Sequence, residues 1–153
     1  MTSNSSSNQI SKKMKNNSNS LNVIIAGSRN FDDYARLKRS CDDILKEVTP
    51  AHRITVLSGN ARGADALGER YASERGYDVR RFPADWRRHG KAAGPMRNAE
   101  MAAEAQMLIC FWDGNSKGTH HMIATARKRG LEIHIIPFQT SPQTEGQGKS
   151  SLL

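Results

Sequence analysis

The sequence predicts an α/β fold: a Rossmann-like, three-layer arrangement on an open, mainly parallel sheet of five or slightly more strands. Five strand-like runs alternate with segments of helical periodicity between residues 21 and 138. Three of the runs end in a loop of glycine, hydroxyl and cationic residues directly before a helical pattern begins. Strands that alternate with helices in this way form a parallel sheet with helices on both faces.

The elements follow one another in regular order along the chain. The strand-like runs lie at about 22–26, 53–57, 77–82, 106–112 and 131–136. The helical patterns lie at about 32–47, 62–75, 96–105 and 118–129. Thr49-Pro50 ends the first helix, and Gly76 and Gly130 provide C-caps for the second and fourth. Residues 83–95, rich in glycine, proline and charge, form a long irregular stretch of the kind that often carries function.

Composition indicates one cytoplasmic domain over residues 21–138. Residues 1–20 and 139–153 are poor in apolar side chains, which predicts disordered tails. No apolar run approaches the roughly 20 residues that cross a bilayer, and the first residues lack the apolar segment of a signal peptide. We therefore expect no membrane partner. Cys41 and Cys110 fall on predicted apolar faces, which indicates buried thiols rather than a disulfide framework.

The chain is basic, with 23 Lys and Arg against 15 Asp and Glu and a net charge of +8. Four of the cations (Lys12, Lys13, Lys15 and Lys149) and one acid (Glu145) lie in the predicted tails, which leaves +5 for residues 21–138. This excess permits binding to an anionic metabolite or to nucleic acid without requiring either. The densest basic cluster, either a solvated face or an entrance for a polyanion, comprises Arg80, Arg81, Arg87, Arg88, Lys91 and Arg97.

The three glycine loops meet at one edge of the sheet if their strands are parallel. Backbone N–H groups and the positive ends of helix dipoles then converge there, which suits an anion such as a phosphate. Alternatively, the glycines serve turn geometry alone, and Ser116 is only an N-cap beside a solvated Lys117. The candidate ligand-binding residues of these loops are Gly27, Ser28, Arg29, Ser58, Gly59, Ala61, Gly63, Asp65, Asp113, Ser116, Lys117, Gly118 and Thr119.

Residues near the fourth strand supply a second wall for this pocket. Arg97-Asn98 and Lys91 lie close in sequence, and arginine holds phosphate or carboxylate by a two-point fork. Trp86 either stacks on a base or clamps its loop to the core. Asp85, Trp86, Lys91, Arg97 and Asn98 complete the candidate ligand-binding residues. We expect neither a metal site nor a cofactor, because no helical i, i+4 pair occurs among the histidines, which are His52, His89, His120, His121 and His134.

Together these motifs resemble the YspA (cpYpsA-related) family of the SLOG superfamily. That superfamily also contains the DNA-processing protein DprA/Smf and the LOG (lysine-decarboxylase-like) phosphoribohydrolases. The resemblance covers about residues 22–137. The motifs that carry it are Gly27-Ser28-Arg29-x-Phe31, Ser58-Gly59-x-Ala61-x-Gly63-Ala64-Asp65, Pro83-Ala84-Asp85-Trp86, Ala93-Gly94-Pro95-x-Arg97-Asn98-x-x-Met101 and Ser116-x-Gly118-Thr119.

The resemblance implies a Rossmann-like fold that binds a nucleotide or nucleotide-derived ligand and forms a homo-oligomer. The chain departs from LOG enzymes at two positions. Arg97 matches their arginine, but Asn98 replaces the lysine and Met122 stands at the catalytic glutamate. A thioether cannot act as an acid or base. Catalytic residues are therefore not assigned, with Arg97 and Asp85 as weak candidates and Asp65 or Asp113 as possible substitutes.

The sequence predicts a module that binds a nucleotide-like ligand to sense or sequester a signal. One alternative is an enzyme that hydrolyses an N-glycosidic or phosphate bond of a nucleotide. The other, less favoured, is a single-stranded nucleic-acid binder of the DprA kind, for which the basic cluster and Trp86 are the evidence.

Overall fold

A computed structural model describes residues 20–49 and 52–139 of the protein. Five parallel strands form a single sheet in the order β3-β2-β1-β4-β5. The strands are β1 (Ser20–Gly27), β2 (Arg53–Ser58), β3 (Asp78–Arg81), β4 (Met107–Trp112) and β5 (Glu132–Pro137). The helices are α1 (Tyr34–Leu45), α2 (Ala64–Arg75), α3 (Trp86–His89), α4 (Ala93–Glu104) and α5 (Lys117–Lys128), with a 3₁₀ turn at Gly90–Ala92.

The predicted α/β class and parallel sheet are confirmed. Strand β1 lies at the centre, paired with β2 on one side and β4 on the other. The chain builds β1, β2 and β3 outwards in one direction and then returns to place β4 and β5 on the other side. The strand order therefore reverses between β1 and β4, where a crevice forms outside the carboxyl ends of the strands.

The core lies in two layers, because successive side chains of a strand point to opposite faces of the sheet. Val23 and Ile25 of β1 belong to the layer under α1 and α2. Ile24 and Ala26 belong to the layer under α4 and α5. Cys41 and Cys110 are both buried and unlinked, one in each layer, as the sequence indicates.

The segment predicted as irregular is the main correction to the sequence analysis. Residues 86–92 form helix α3 and the 3₁₀ turn, and α4 already begins at Ala93. Gly94 and Pro95 therefore lie inside the first turn of α4 rather than before it. A proline is tolerated there because the N–H groups of a first helical turn have no intrahelical acceptor.

Smaller differences concern element ends. Strand β1 begins at Ser20, a residue predicted to belong to the tail, and β3 is limited to four residues. Helix α1 begins at Tyr34 because the Asp33 side chain accepts a hydrogen bond from the Arg36 N–H at 3.1 Å and caps the helix. The predicted disordered tails otherwise lie outside the described residues, apart from Gln139.

Candidate functional site

A cavity of about 730 Å³ opens at the carboxyl ends of β1 and β4, where the strand order reverses. Its walls come from the loops after β1, β2 and β4 and from one face each of α4 and α5. The three glycine loops therefore converge at one edge of the sheet, as predicted. The lining residues are Ala26, Gly27, Ser28, Arg29, Asn30, Ala61, Asp65, Trp86, Lys91, Gly94, Pro95, Arg97, Asn98, Met101, Asp113, Ser116, Lys117, Gly118, Thr119, His121 and Met122.

Ser28 joins the three loops. Its N–H donates to the carbonyl of Phe111 at 2.9 Å, and its carbonyl accepts from the N–H of Ala64 at 3.2 Å. Its hydroxyl accepts from the N–H of Asp113 at 3.2 Å. Gly63 fits against this junction because a Cβ there would lie 2.4 Å from the Ser28 carbonyl oxygen. The close approach explains why glycine occupies that position.

The loop after β4 prepares the start of helix α5. The Asp113 carboxylate accepts from the N–H groups of Asn115 and Ser116 at 2.8 and 2.9 Å. Burial opposes the charge, but these hydrogen bonds hold the pKa of Asp113 below its ordinary value. Ser116 in turn caps α5 by accepting from the N–H of Thr119 at 3.3 Å. The backbone N–H groups of Lys117 and Gly118, at the cavity wall, have no acceptor within the described part of the chain.

The cavity lining also holds a buried carboxylate and a half-buried guanidinium. Asp65, in the first turn of α2, is 6% exposed and accepts one hydrogen bond, from the N–H of Ala61 at 3.2 Å. Burial raises the pKa of Asp65 to about 6, although the nearby Arg97 opposes the shift. Arg97 donates to the carbonyl of Gly59 and, through Nε, to Asn98 Oδ1 at 3.0 Å. Burial lowers the pKa of Arg97.

Comparison with known proteins matches the sequence of this chain to one family. The model of the YspA, cpYpsA-related SLOG family matches residues 21–89. The chain is also 36% identical over 126 residues to the Gene 61 protein of Mycobacterium phage D29, covering 78% of this chain and 98% of that protein. The chain belongs to the YspA, cpYpsA-related SLOG family. Membership of this family agrees, in general terms, with binding of nucleotides or of nucleic acid.

A solved structure shares the SLOG fold. DNA processing protein A (DprA) from Streptococcus pneumoniae matches with a TM-score of 0.59 and 18% identity over 78% of this chain. The match spans 51% of the DprA chain, so this chain corresponds to about half of that protein. At this identity the likeness concerns the fold.

Fourteen of the eighteen ligand-binding residues predicted from the sequence line the cavity at the carboxyl ends of β1 and β4, called the SLOG cavity below. Gly59 lies instead in an adjoining cleft of about 480 Å³. Ser58 is fully buried and donates its hydroxyl to Glu69 at 2.6 Å, which fixes α2 against the end of β2. Gly63 packs against the first loop. The Asp85 carboxylate caps α3 by accepting from the N–H of Arg88 at 3.2 Å.

Residues that the sequence analysis did not propose as ligand-binding also line the cavity. Those on α4 and α5 occur at helical spacing from predicted residues: Gly94 and Met101 lie three and four residues from Arg97, on the same face of α4. On α5, His121 follows Lys117 by four residues. Such spacing places side chains on one face of a helix, so i, i+3 and i, i+4 neighbours of the predicted residues were the available signal. Met122, at the position of the LOG glutamate, is 2% exposed and borders the cavity.

The basic cluster is smaller in the structure than in the sequence. Arg80 pairs with Glu104, and Arg81 pairs with Glu69 at 2.9 Å. Of the other members, Arg87, Arg88 and Lys91 are exposed. Lys91 and Arg97 line the cavity.

Trp86 packs against helix α4 and also lines the cavity. A Cβ at Gly94 would lie 3.1 Å from Trp86 Cη2, so the indole packs against the first turn of α4. It also lines the cavity and remains 50% exposed. The indole therefore clamps its segment and still offers a surface to a ligand.

Within 20–49 and 52–139, no three His, Cys, Asp or Glu side chains group closely enough to hold a metal ion. Over the same residues, no helix is both long and apolar enough to cross a membrane.

Proposed function

We propose that the protein binds a nucleotide or nucleotide-derived ligand in the SLOG cavity, with a phosphate at the start of α5. The observation that carries this proposal is the concentration of donors at one cavity. Four cationic side chains line it, Arg29, Lys91, Arg97 and Lys117. Beside them are the N–H groups of Lys117 and Gly118, which have no acceptor among the residues that the structure describes. A helix N-terminus with free N–H groups and a nearby cation favours phosphate. The cavity volume lies within the range of small-molecule sites.

Features away from the phosphate end suit the nucleoside. Trp86 offers half of its indole surface, on which a planar base can stack. Asp65 offers a carboxylate that can accept hydrogen bonds from sugar hydroxyl or base N–H groups. A ligand with an anionic end and a neutral, hydrogen-bonding, planar end therefore matches the lining better than a free phosphate does.

We propose further that the protein holds its ligand, as a sensor or a sink for a nucleotide signal. Met122 supports this part of the proposal, because a thioether occupies the position where LOG enzymes have their catalytic glutamate. It cannot stabilise an oxocarbenium ion or transfer a proton.

Calorimetric titration with a fixed panel tests the binding proposal. The panel contains AMP, GMP, CMP, UMP, ADP-ribose, a cyclic dinucleotide, inorganic phosphate, adenosine and a single-stranded oligonucleotide. We expect at least one nucleotide to bind more tightly than both phosphate and adenosine. Absence of binding by every nucleotide contradicts the proposal, and salt-sensitive binding of the oligonucleotide alone supports nucleic-acid binding instead. Mass spectrometry of small molecules released from the purified protein identifies a ligand that copurifies.

Hydrolysis of the bound nucleotide is the second candidate, and Asp65 is the observation in its favour. Of the three carboxylates considered, Asp85 caps a helix and Asp113 is held by two backbone N–H groups. Asp65 lines the cavity, and burial raises its pKa to about 6, in the range suited to proton transfer at neutral pH. Chromatography after incubation with the panel tests this candidate. A freed base or phosphate that is lost with Asp65→Asn supports it, and an unchanged panel contradicts it.

A further inference from the structure

A chain of hydrogen bonds along the cavity wall fixes the orientation of the Asn98 amide. Arg97 Nε donates to Asn98 Oδ1 at 3.0 Å, and a guanidinium has no acceptor, so the amide atom that faces it must be oxygen. On the other side, Asn98 Nδ2 lies 3.4 Å from the carbonyl of Gly118, which can only accept. Both neighbours require the same orientation, and Asn98 is 5% exposed, which protects the arrangement from water.

This orientation determines where His121 carries its proton. Asn98 Nδ2 lies 3.1 Å from Nδ1 of His121 and donates to it, so that ring nitrogen accepts. Thr125 Oγ1 lies 3.4 Å from the same nitrogen and can donate as well. A neutral imidazole has a single N–H, which must therefore be on Nε2. Across residues 20–49 and 52–139, Nε2 has no hydrogen-bond partner, while the His121 side chain lines the cavity.

We propose that His121 contacts the bound nucleotide by donating its Nε2–H to a ligand acceptor, and that Arg97 and Asn98 are positioning residues that hold this tautomer. The acceptor is a phosphate oxygen or a ring nitrogen, since both are exposed acceptors of a nucleotide. The inference rests on the proposed function, because it takes a nucleotide as the occupant of the cavity. It adds a donor next to Met122, which has none, and it explains why an amide rather than a lysine is suited to position 98.

The tautomer is tested first, on the protein without ligand, by long-range ¹H–¹⁵N NMR of His121. We expect protonated Nε2 and unprotonated Nδ1. Asn98→Asp replaces the donating NH₂ group by an oxygen that accepts, so we expect a proton on Nδ1. Asn98→Ala removes the NH₂ donor without putting an acceptor in its place, so we expect a mixture of the two His121 tautomers. This variant replaces Asn98→Asp in the test if Asn98→Asp does not fold. A proton on Nδ1 in the wild-type protein overturns the inference.

The contact is tested with each nucleotide of the panel that binds, AMP first. His121→Asn keeps an acceptor near the position of Nδ1 but has no atom at Nε2, so we expect affinity to fall about tenfold. His121→Gln places an amide N–H near Nε2, and we expect it to recover part of the loss. His120→Asn is the matched control: His120 is exposed, packs against Trp112 and lies outside the cavity lining, so affinity should not change.

The two proposals fail in different ways. If a nucleotide binds but His121→Asn retains full affinity and the Nε2 resonance does not move, the inference about His121 is wrong and the proposed function stands. If no nucleotide of the panel binds, both proposals are wrong.

Discussion

Asp65 and Arg97 meet on either side of Gly59 without closing an ion pair. A Cβ at Gly59 would lie 2.7 Å from both Asp65 Oδ2 and Arg97 Nη1, so glycine is what lets the two charged groups approach each other. Among the ion pairs of the described residues, the Asp65–Arg97 pair does not occur. The guanidinium donates instead to the Gly59 carbonyl. A buried carboxylate with spare acceptor capacity therefore faces the cavity beside a cation.

Asp65→Asn is expected to change how stability depends on pH. Burial raises the pKa of Asp65 from 3.8 to about 6 in the folded protein. The contribution of the Asp65 carboxyl to the free energy of unfolding is therefore fully present below pH 4 and is lost as the pH rises through 6. The difference of about two pKa units corresponds to about 3 kcal/mol. Asn cannot ionise and keeps an oxygen for the Ala61 N–H, so the variant should be about as stable as wild type at pH 4 and more stable at pH 7.

Urea unfolding at several pH values between 4 and 7.5 measures this difference. Asp43→Asn, at an exposed site on α1, controls for removal of a negative charge from a basic protein. The prediction fails if the free-energy difference between Asp65→Asn and wild type is constant over this range.

Arg97→Lys is expected to weaken nucleotide binding more than tenfold. Lysine has no planar fork, so it cannot donate at once to the Gly59 carbonyl and to Asn98 Oδ1 while facing a ligand. Arg87→Lys, on the exposed surface of α3 and outside the cavity lining, is the matched control and should bind as wild type does. Calorimetry with the tightest nucleotide of the panel measures both, and equal losses in the two variants contradict a specific role for Arg97.

The edge of the sheet that carries the site could be predicted from the sequence, because the signals for it are local. Glycines after apolar runs mark the loops, and alternation of strands and helices makes the strands parallel. The role of Ser58 could not be predicted, because its hydroxyl donates a hydrogen bond to Glu69 on the following helix, α2. The spacing from Lys117 could place His121 at the cavity, but its tautomer could not be predicted, because Asn98, 23 residues away, contacts its Nδ1. Contacts between elements, unlike turn chemistry, leave no trace in neighbouring residues.

Lys117→Ala is expected to reduce nucleotide affinity several-fold and to make binding less sensitive to salt. Lys117 is exposed at the first position of α5 and lines the cavity, so its charge adds to the helix dipole near a bound phosphate. Lys128→Ala removes the same charge from the exposed far end of the helix, outside the cavity lining, and should leave affinity unchanged. Titrations at low and high salt separate the variants, and equal salt dependence in both would place the phosphate elsewhere.

Gly68→Ala is expected to destabilise the protein although alanine is the better helix former. Gly68 lies inside α2, and a Cβ there would lie 2.7 Å from Cγ2 of Ile25, a fully buried residue of the central strand. Alanine gains about 1 kcal/mol from helix propensity, while overpacking of a core costs about 1–3 kcal/mol. We expect a net loss of about 1 kcal/mol in the free energy of unfolding, since Ile25 cannot shift without moving β1.

Gly118→Ala is the matched control for stability, because a Cβ at this helical position meets nothing within 4 Å, and it should be neutral or slightly stabilising. Denaturant unfolding of both variants measures the difference. A Gly68→Ala protein at least as stable as wild type would show that α2 can move away from the sheet, and the Asp65 carboxylate at the start of that helix would then not be held in place.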